Sequence, residues 1–92
     1  MTKAPKQRFE DMPPAQQAGI LCNDPQFQRF AAVRSGYPGG EFLPSAAAEY
    51  VRLTCGVNSR GLLNTNKAAS ERFQALRTEF DAWSGKLATP RP

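Results

Sequence analysis

Ninety-two residues with a net charge of +4, no histidine and two cysteines bound the possibilities before any motif is read. A chain of this length supports one small core and not two, and its 40% apolar content, with six Phe, one Trp and two Tyr, is too high for a disordered polymer. The missing histidines remove the commonest general base and the commonest transition-metal ligand, and no apolar run reaches the ~18 residues that a membrane span needs.

Residues 1–12 carry Lys3, Lys6 and Arg8 around Phe9 and read as a mobile basic tail that docks by Phe9 and Met12. They have no apolar core that a secretion signal could use, so the expected location is the cytoplasm. A single helical domain is expected over residues 13–87, followed by a frayed tail at 88–92. Pro13 and Pro14 open its first helix, because proline in a first turn loses no hydrogen bond and has φ already set. "AQQAGILC" continues that helix with Ala15, Ala18 and Leu21 or Cys22 facing inward.

In "NDPQFQRFAAVRSG", Asp24 is placed to cap a second helix, Pro25 sits just inside it, and Gly36 supplies a left-handed residue past its end. Phe27, Phe30, Ala31 and Arg34 share one face at spacings of three and four, and Arg29 points the other way. "GYPGGEFLP", residues 36–44, is a loop that admits a short strand at 41–43. Ser45 is expected to cap a third helix running through "AAAEYVRLTC" to Gly56. Ala47, Val51 and Thr54 or Cys55 form one of its stripes, and Ala46, Tyr50 and Leu53 form another. The strongest periodicity follows: Ala69, Phe73, Leu76, Phe80, Trp83 and Leu87 fall on one face of a long C-terminal amphipathic helix that Gly85 begins to end. Its wet face offers an Arg77–Asp81 pair at i, i+4. The fold class is therefore mainly α, in one small domain.

Catalytic chemistry is hard to assemble from these residues. Cys22 and Cys55 lack a CxxC spacing, are expected as thiols in a reducing compartment, and sit near helix C-termini, where the dipole opposes a thiolate. The acids do not cluster outside Glu10 and Asp11, and "GYPGGEF" lacks the strand and lysine of a phosphate loop. No enzyme, cofactor or metal is expected.

The least ordinary stretch is "LTCGVNSRGLLNTN", residues 53–66. Helix, Gly56, Val57, then Leu62 within a second helix gives the outline of a helix-turn-helix. Against it stand Arg52, where a small residue is wanted, and the early interruption at Asn64, Thr65 and Asn66. The plainer reading is a one-turn helix capped by Asn58 or Ser59, then a cap at Thr65 or Asn66 for the long helix. Such caps would still leave Arg52, Asn58, Arg60, Asn64, Lys67 and Arg72 as a polar, positive patch suited to phosphates or to an acidic partner.

The segments "QQAGILCNDPQFQRF", "AAEYVRLTCGVNSR" and "ASERFQALRTEFDAW" together resemble small proteins encoded in proteobacterial phages and prophages, over roughly residues 14 to 83. That resemblance implies a host bacterial cytoplasm and an action on replication or recombination intermediates or on host defence. Small phage proteins with no active site often work as anti-CRISPR inhibitors of the surveillance complex. The DNA mimics among them are usually acidic, so a basic inhibitor would dock on acidic protein or guide RNA. The expected function is stoichiometric binding of a host protein or nucleoprotein complex, by a monomer rather than a homodimer and away from membranes. The alternatives are a DNA-binding accessory protein of recombination, replication or transcription, and an assembly protein that oligomerises through Phe73, Leu76, Phe80 and Trp83.

Overall fold

The computed structural model describes residues 8–85; Lys3, Lys6, Leu87 and the tail from 88 lie outside the described residues. Four α-helices follow in order, α1 (Pro14–Cys22), α2 (Pro25–Arg34), α3 (Pro44–Cys55) and α4 (Lys67–Ser84), with single 3-10 turns at Phe9–Asp11 and Arg60–Asn64. The mainly helical single domain expected from the sequence is the observed one. No strand forms among the described residues. The segment that admitted one, 41–43, is tied to α2 by a lone backbone bond from Phe42 N to Gln28 O, 3.1 Å. One bond with no parallel or antiparallel partner strand cannot start a ladder.

Helix starts follow cap chemistry where the sequence supplies it. The Asp24 carboxylate accepts from Gln26 N at 2.9 Å and Pro25 takes the first position of α2. Asn66 Oδ1 accepts from Ala69 N at 3.0 Å to start α4. Ser45 is a correction: Leu43 holds the cap position of α3 in extended backbone and Pro44 the first helical one. Proline's fixed φ and dispensable N–H make it the natural first residue, which moves the boundary ahead of the serine. Gly36, Gly56 and Gly85 all lie at positive φ just past helix ends, as expected of left-handed stops.

The core gathers one face of every helix. Ala18, Leu21 and Cys22 of α1, Phe27, Phe30 and Ala31 of α2, Ala47, Val51 and Cys55 of α3, and Ala69, Phe73, Leu76 and Phe80 of α4 are buried together with Leu63. Leu62 lies within the Arg60–Asn64 turn and is 38% exposed; the tight three-residue period of a 3-10 turn brings Leu63 inward. The second stripe of α3 is covered only in part: Ala46 and Tyr50 are half-buried, Tyr50 against the core, while Leu53 is 72% exposed. Phe73, Leu76 and Phe80 are consumed by the chain's own core, which leaves Trp83 as the large member of that stripe at the surface, 42% exposed.

The remaining buried polar groups act as ties between elements. Gln17, 1% exposed, donates from Nε2 to Met12 O at 2.8 Å and accepts at Oε1 from Arg77 at 3.0 Å. The Arg77 guanidinium also lies 5.0 Å from the centre of the Phe9 ring. The i, i+4 pair with Asp81 thus gives way to contacts with α1 and the first turn, because a partly buried hydrogen bond and a ring face outweigh an exposed helix-surface pair worth a few tenths of a kcal/mol. Gln28 Nε2 similarly donates to Cys22 O at 2.9 Å and fixes α2 against the end of α1.

A basic cleft at the helix joint

The six residues singled out in the sequence do not form one patch. Arg52, Arg60 and Asn64 converge on an open cleft of about 650 Å³ between α1, α3 and the Arg60–Asn64 turn. Arg52 also borders a shallower depression with Asn58 on the far side of the joint. Lys67 is turned to Glu71 one turn along α4. Arg72 reaches back to the C-terminus of α3, where it donates to Cys55 O at a long 3.5 Å, and its Nη1 lies against the open side of Gly56. Gly56 at φ 75° leaves that carbonyl end free, and a cation there complements the negative pole of the helix.

Asn64 is primarily structural. Its Oδ1 accepts from Ala15 N at 2.9 Å, across 49 residues of sequence. Pro13, at the cap position of α1, makes no side-chain cap hydrogen bond, so Asn64 supplies the missing acceptor to a first-turn amide. Ser59 does the same locally, with Oγ accepting from Gly61 N at 3.3 Å. In this way the Arg60–Asn64 turn is held at one end by its own serine and pinned at the other to α1.

The arginines differ in what they already hold. Arg52 Nη2 lies 2.6 Å from Glu49 Oε1, three residues back on α3. Arg29 and Arg34 face Glu41 and Glu79, Arg8 faces Asp11, and Arg77 is bound to Gln17. Among the described residues, Arg60 alone of the cations has no carboxylate, carbonyl or amide oxygen in reach. Its guanidinium lies over Gly19 in α1, where a Cβ would stand 3.1 Å from Nη1. Glycine within a helix costs roughly 0.5–1 kcal/mol against alanine, and here the absent side chain makes room for the guanidinium.

Cys22 forms part of the cleft wall. Burial pushes its thiol above the ordinary value of 9.0, and the nearby Arg60 and then Arg52 oppose that shift without overturning it. Cys55 is raised by burial too, against the pull of Arg72. Both are free, buried thiols, in agreement with the packing role expected of them, and neither offers thiolate near neutral pH. Among the described residues no three Cys, Asp or Glu side chains gather as a metal site.

What the sequence reading missed is the α1 side of the joint: Gln16 in the cleft wall, Gly19 against the Arg60 guanidinium in a neighbouring depression, and the Asn64–Ala15 bond. Nothing local marks them, because the contacts join segments some 40 to 50 positions apart. The plainer reading of the joint is the observed one, a single 3-10 turn at Arg60–Asn64 capped by Ser59, and it is too short to serve as the second helix of a helix-turn-helix in a DNA groove. No helix is long and apolar enough to cross a membrane among the described residues. Comparison with protein-family models, with curated proteins and with solved structures gives no match.

Proposed function

We propose that the protein is a non-enzymatic, phage-type binding protein that attaches stoichiometrically to a host nucleoprotein complex, most concretely as an anti-CRISPR-like inhibitor of a surveillance complex. Its contact is the cleft beneath Arg52 and Arg60. The observation that carries this reading is the unengaged guanidinium of Arg60, in an open cleft that Arg52, paired with Glu49, also lines and that has no carboxylate among its lining residues. An anionic group entering there meets charge that the fold has not neutralised, and exclusion of water would strengthen the attraction. Arg29, Arg34 and Lys67, like Arg52 with Glu49, already face carboxylates and contribute less than Arg60. The phage setting rests on the sequence resemblance, and the binding mode rests on the cleft.

The test is to titrate the protein into a reconstituted surveillance complex and follow binding of target DNA. Inhibition should saturate near equimolar protein, and Arg60→Glu should raise the concentration required by about tenfold or more, as expected for loss of a charge-assisted contact. Lys67→Glu should change it little. Inhibition by Arg60→Glu equal to that of the wild type would sink this reading.

A DNA-binding accessory protein is the second reading, favoured by the same positive cleft. With no recognition helix at the joint, it would work through phosphates and not through base edges. It requires affinity for naked duplex that falls steeply with salt as counterions are released.

A further inference from the structure

We infer that the cleft receives a phosphate monoester, the terminal phosphate of a nucleotide, and not the diester backbone of a duplex. This rests on the proposed reading in placing the contact at the cleft, and goes beyond it in naming the group that enters.

The first argument is the balance of donors and acceptors. Ser59 Oγ already accepts from Gly61 N, and Asn64 Oδ1 from Ala15 N. Those two side chains therefore have hydrogens to offer: a hydroxyl proton from one and amide protons from the other. Arg60 brings a guanidinium with every donor unengaged, and Arg52 retains the donors that Glu49 does not take. A lining so rich in hydrogens suits a ligand that only accepts. A phosphate monoester presents three terminal oxygens and close to two negative charges near neutral pH, whereas a diester presents two oxygens and one charge.

The second argument is convergence. Cations that track a nucleic-acid backbone are spread along it, one per phosphate. Here Arg52 and Arg60 line one cleft, while Lys67 and Arg72 are turned to Glu71 and to Cys55 O. The unengaged donors of Arg60 and the remaining donors of Arg52, gathered on one cleft, fit one compact acceptor group better than a string of phosphates.

The third argument is the wall. A volume of about 650 Å³ lies within the ~300–1,000 Å³ of small-ligand sites. Ala15, Ala48 and Val51 supply aliphatic surface, and no aromatic ring lines the cleft. A sugar next to the phosphate has apolar surface to rest on, but a base has no platform on which to stack. Recognition is therefore indifferent to the base.

Two sources carry this chemistry: a free nucleotide and the 5′-phosphorylated end of a strand. The test is calorimetric titration with a short single-stranded oligonucleotide bearing a 5′-phosphate, the same strand ending in a 5′-hydroxyl, and a nucleoside 5′-monophosphate. The phosphorylated strand should bind about tenfold or more tighter than the hydroxyl strand, and Arg60→Ala should abolish the difference while leaving the helical circular dichroism unchanged. The monophosphate binding as well as the phosphorylated strand would assign the site to free nucleotides; a clear advantage for the strand would assign it to nucleic-acid ends. Equal binding of the two strands, or binding of none of the probes, overturns the inference. If inhibition of the surveillance complex still depends on Arg60 in that case, the proposed function stands without it. A 5′-phosphate preference with no inhibition would leave the site intact and remove the function.

Discussion

The two ends of the molecule are built by different forces. Where α2 and α4 meet, Phe27, Phe30 and Phe80 are fully buried, with ring centroids 5.1 to 5.7 Å apart, and Tyr50 and Trp83 close the cluster edge-on or stacked. Charge is confined to the rim, where Arg34 lies over the Phe30 ring and faces Glu79. At the joint between α1 and α3 the shape is set by hydrogen bonds: Asn64 to Ala15, Ser59 to Gly61, Asn66 to Ala69. The aromatic end satisfies itself, whereas the joint leaves one cation without a partner. Stability is concentrated at the first, and the proposed contact lies at the second.

The largest expected effect tests the aromatic end. Phe30 contacts four other rings, those of Phe27, Tyr50, Phe80 and Trp83. Phe30→Ala should cost about 3–5 kcal/mol, a large share of what a domain of this size has. Urea unfolding followed by Trp83 fluorescence reads this directly, and Phe30→Leu should retain most of the stability if the alanine variant does not fold. A loss below about 1 kcal/mol would mean that the aromatic cluster is not the main support and would erase the contrast between the two ends.

The next effect tests the joint. Asn64→Ala removes the acceptor for an α1 first-turn amide and should cost about 1 kcal/mol, within the ~0.5–2 kcal/mol range of lost caps. Asn58, exposed and with no hydrogen bond that holds the backbone in place, serves as the control: Asn58→Ala should stay within about 0.5 kcal/mol of wild type. Equal effects at the two asparagines in thermal unfolding would show that the long-range Asn64–Ala15 tie does not hold the joint.

That pair of asparagines also marks how far the sequence could be read. Caps and stops are local, so Asp24, Gly36, Gly56 and Gly85 are legible from nearest neighbours. The caps at the joint are legible only as Asn58 or Ser59 and Thr65 or Asn66, of which the structure uses Ser59 and Asn66. The period of Phe73, Leu76 and Phe80 gives the inner face of α4. Ser45 was misread because proline's preference for the first helical position outweighed serine's for the cap. Leu63 carries no local mark as a core residue, because it is the 3-10 turn at Arg60–Asn64 that brings it inward. Of the six residues grouped as one patch, Arg52, Arg60 and Asn64 line one cleft, and nothing in the neighbouring residues reveals that Arg60 rests on Gly19 or that Asn64 serves α1. Periodicity identifies which face is inward, but not which distant segment lies against it.

Gly19→Ala is the smallest of these effects and separates the two ends most cleanly. Gly19 has helical backbone and sits within α1, so alanine should raise helix stability by up to about 1 kcal/mol. The new Cβ would stand 3.1 Å from Arg60 Nη1 and 3.3 Å from its Cζ. The end of a flexible side chain can move aside at little cost, and the fold should therefore gain. The guanidinium that moves is the unengaged one of the cleft, so affinity for an anionic partner should fall as stability rises. Paired measurements of the unfolding midpoint and of binding should move in opposite directions. If both rise, Arg60 is not seated by Gly19 in the binding state. If both fall, the glycine serves the packing of α1, and the joint is no less a stability element than the aromatic end.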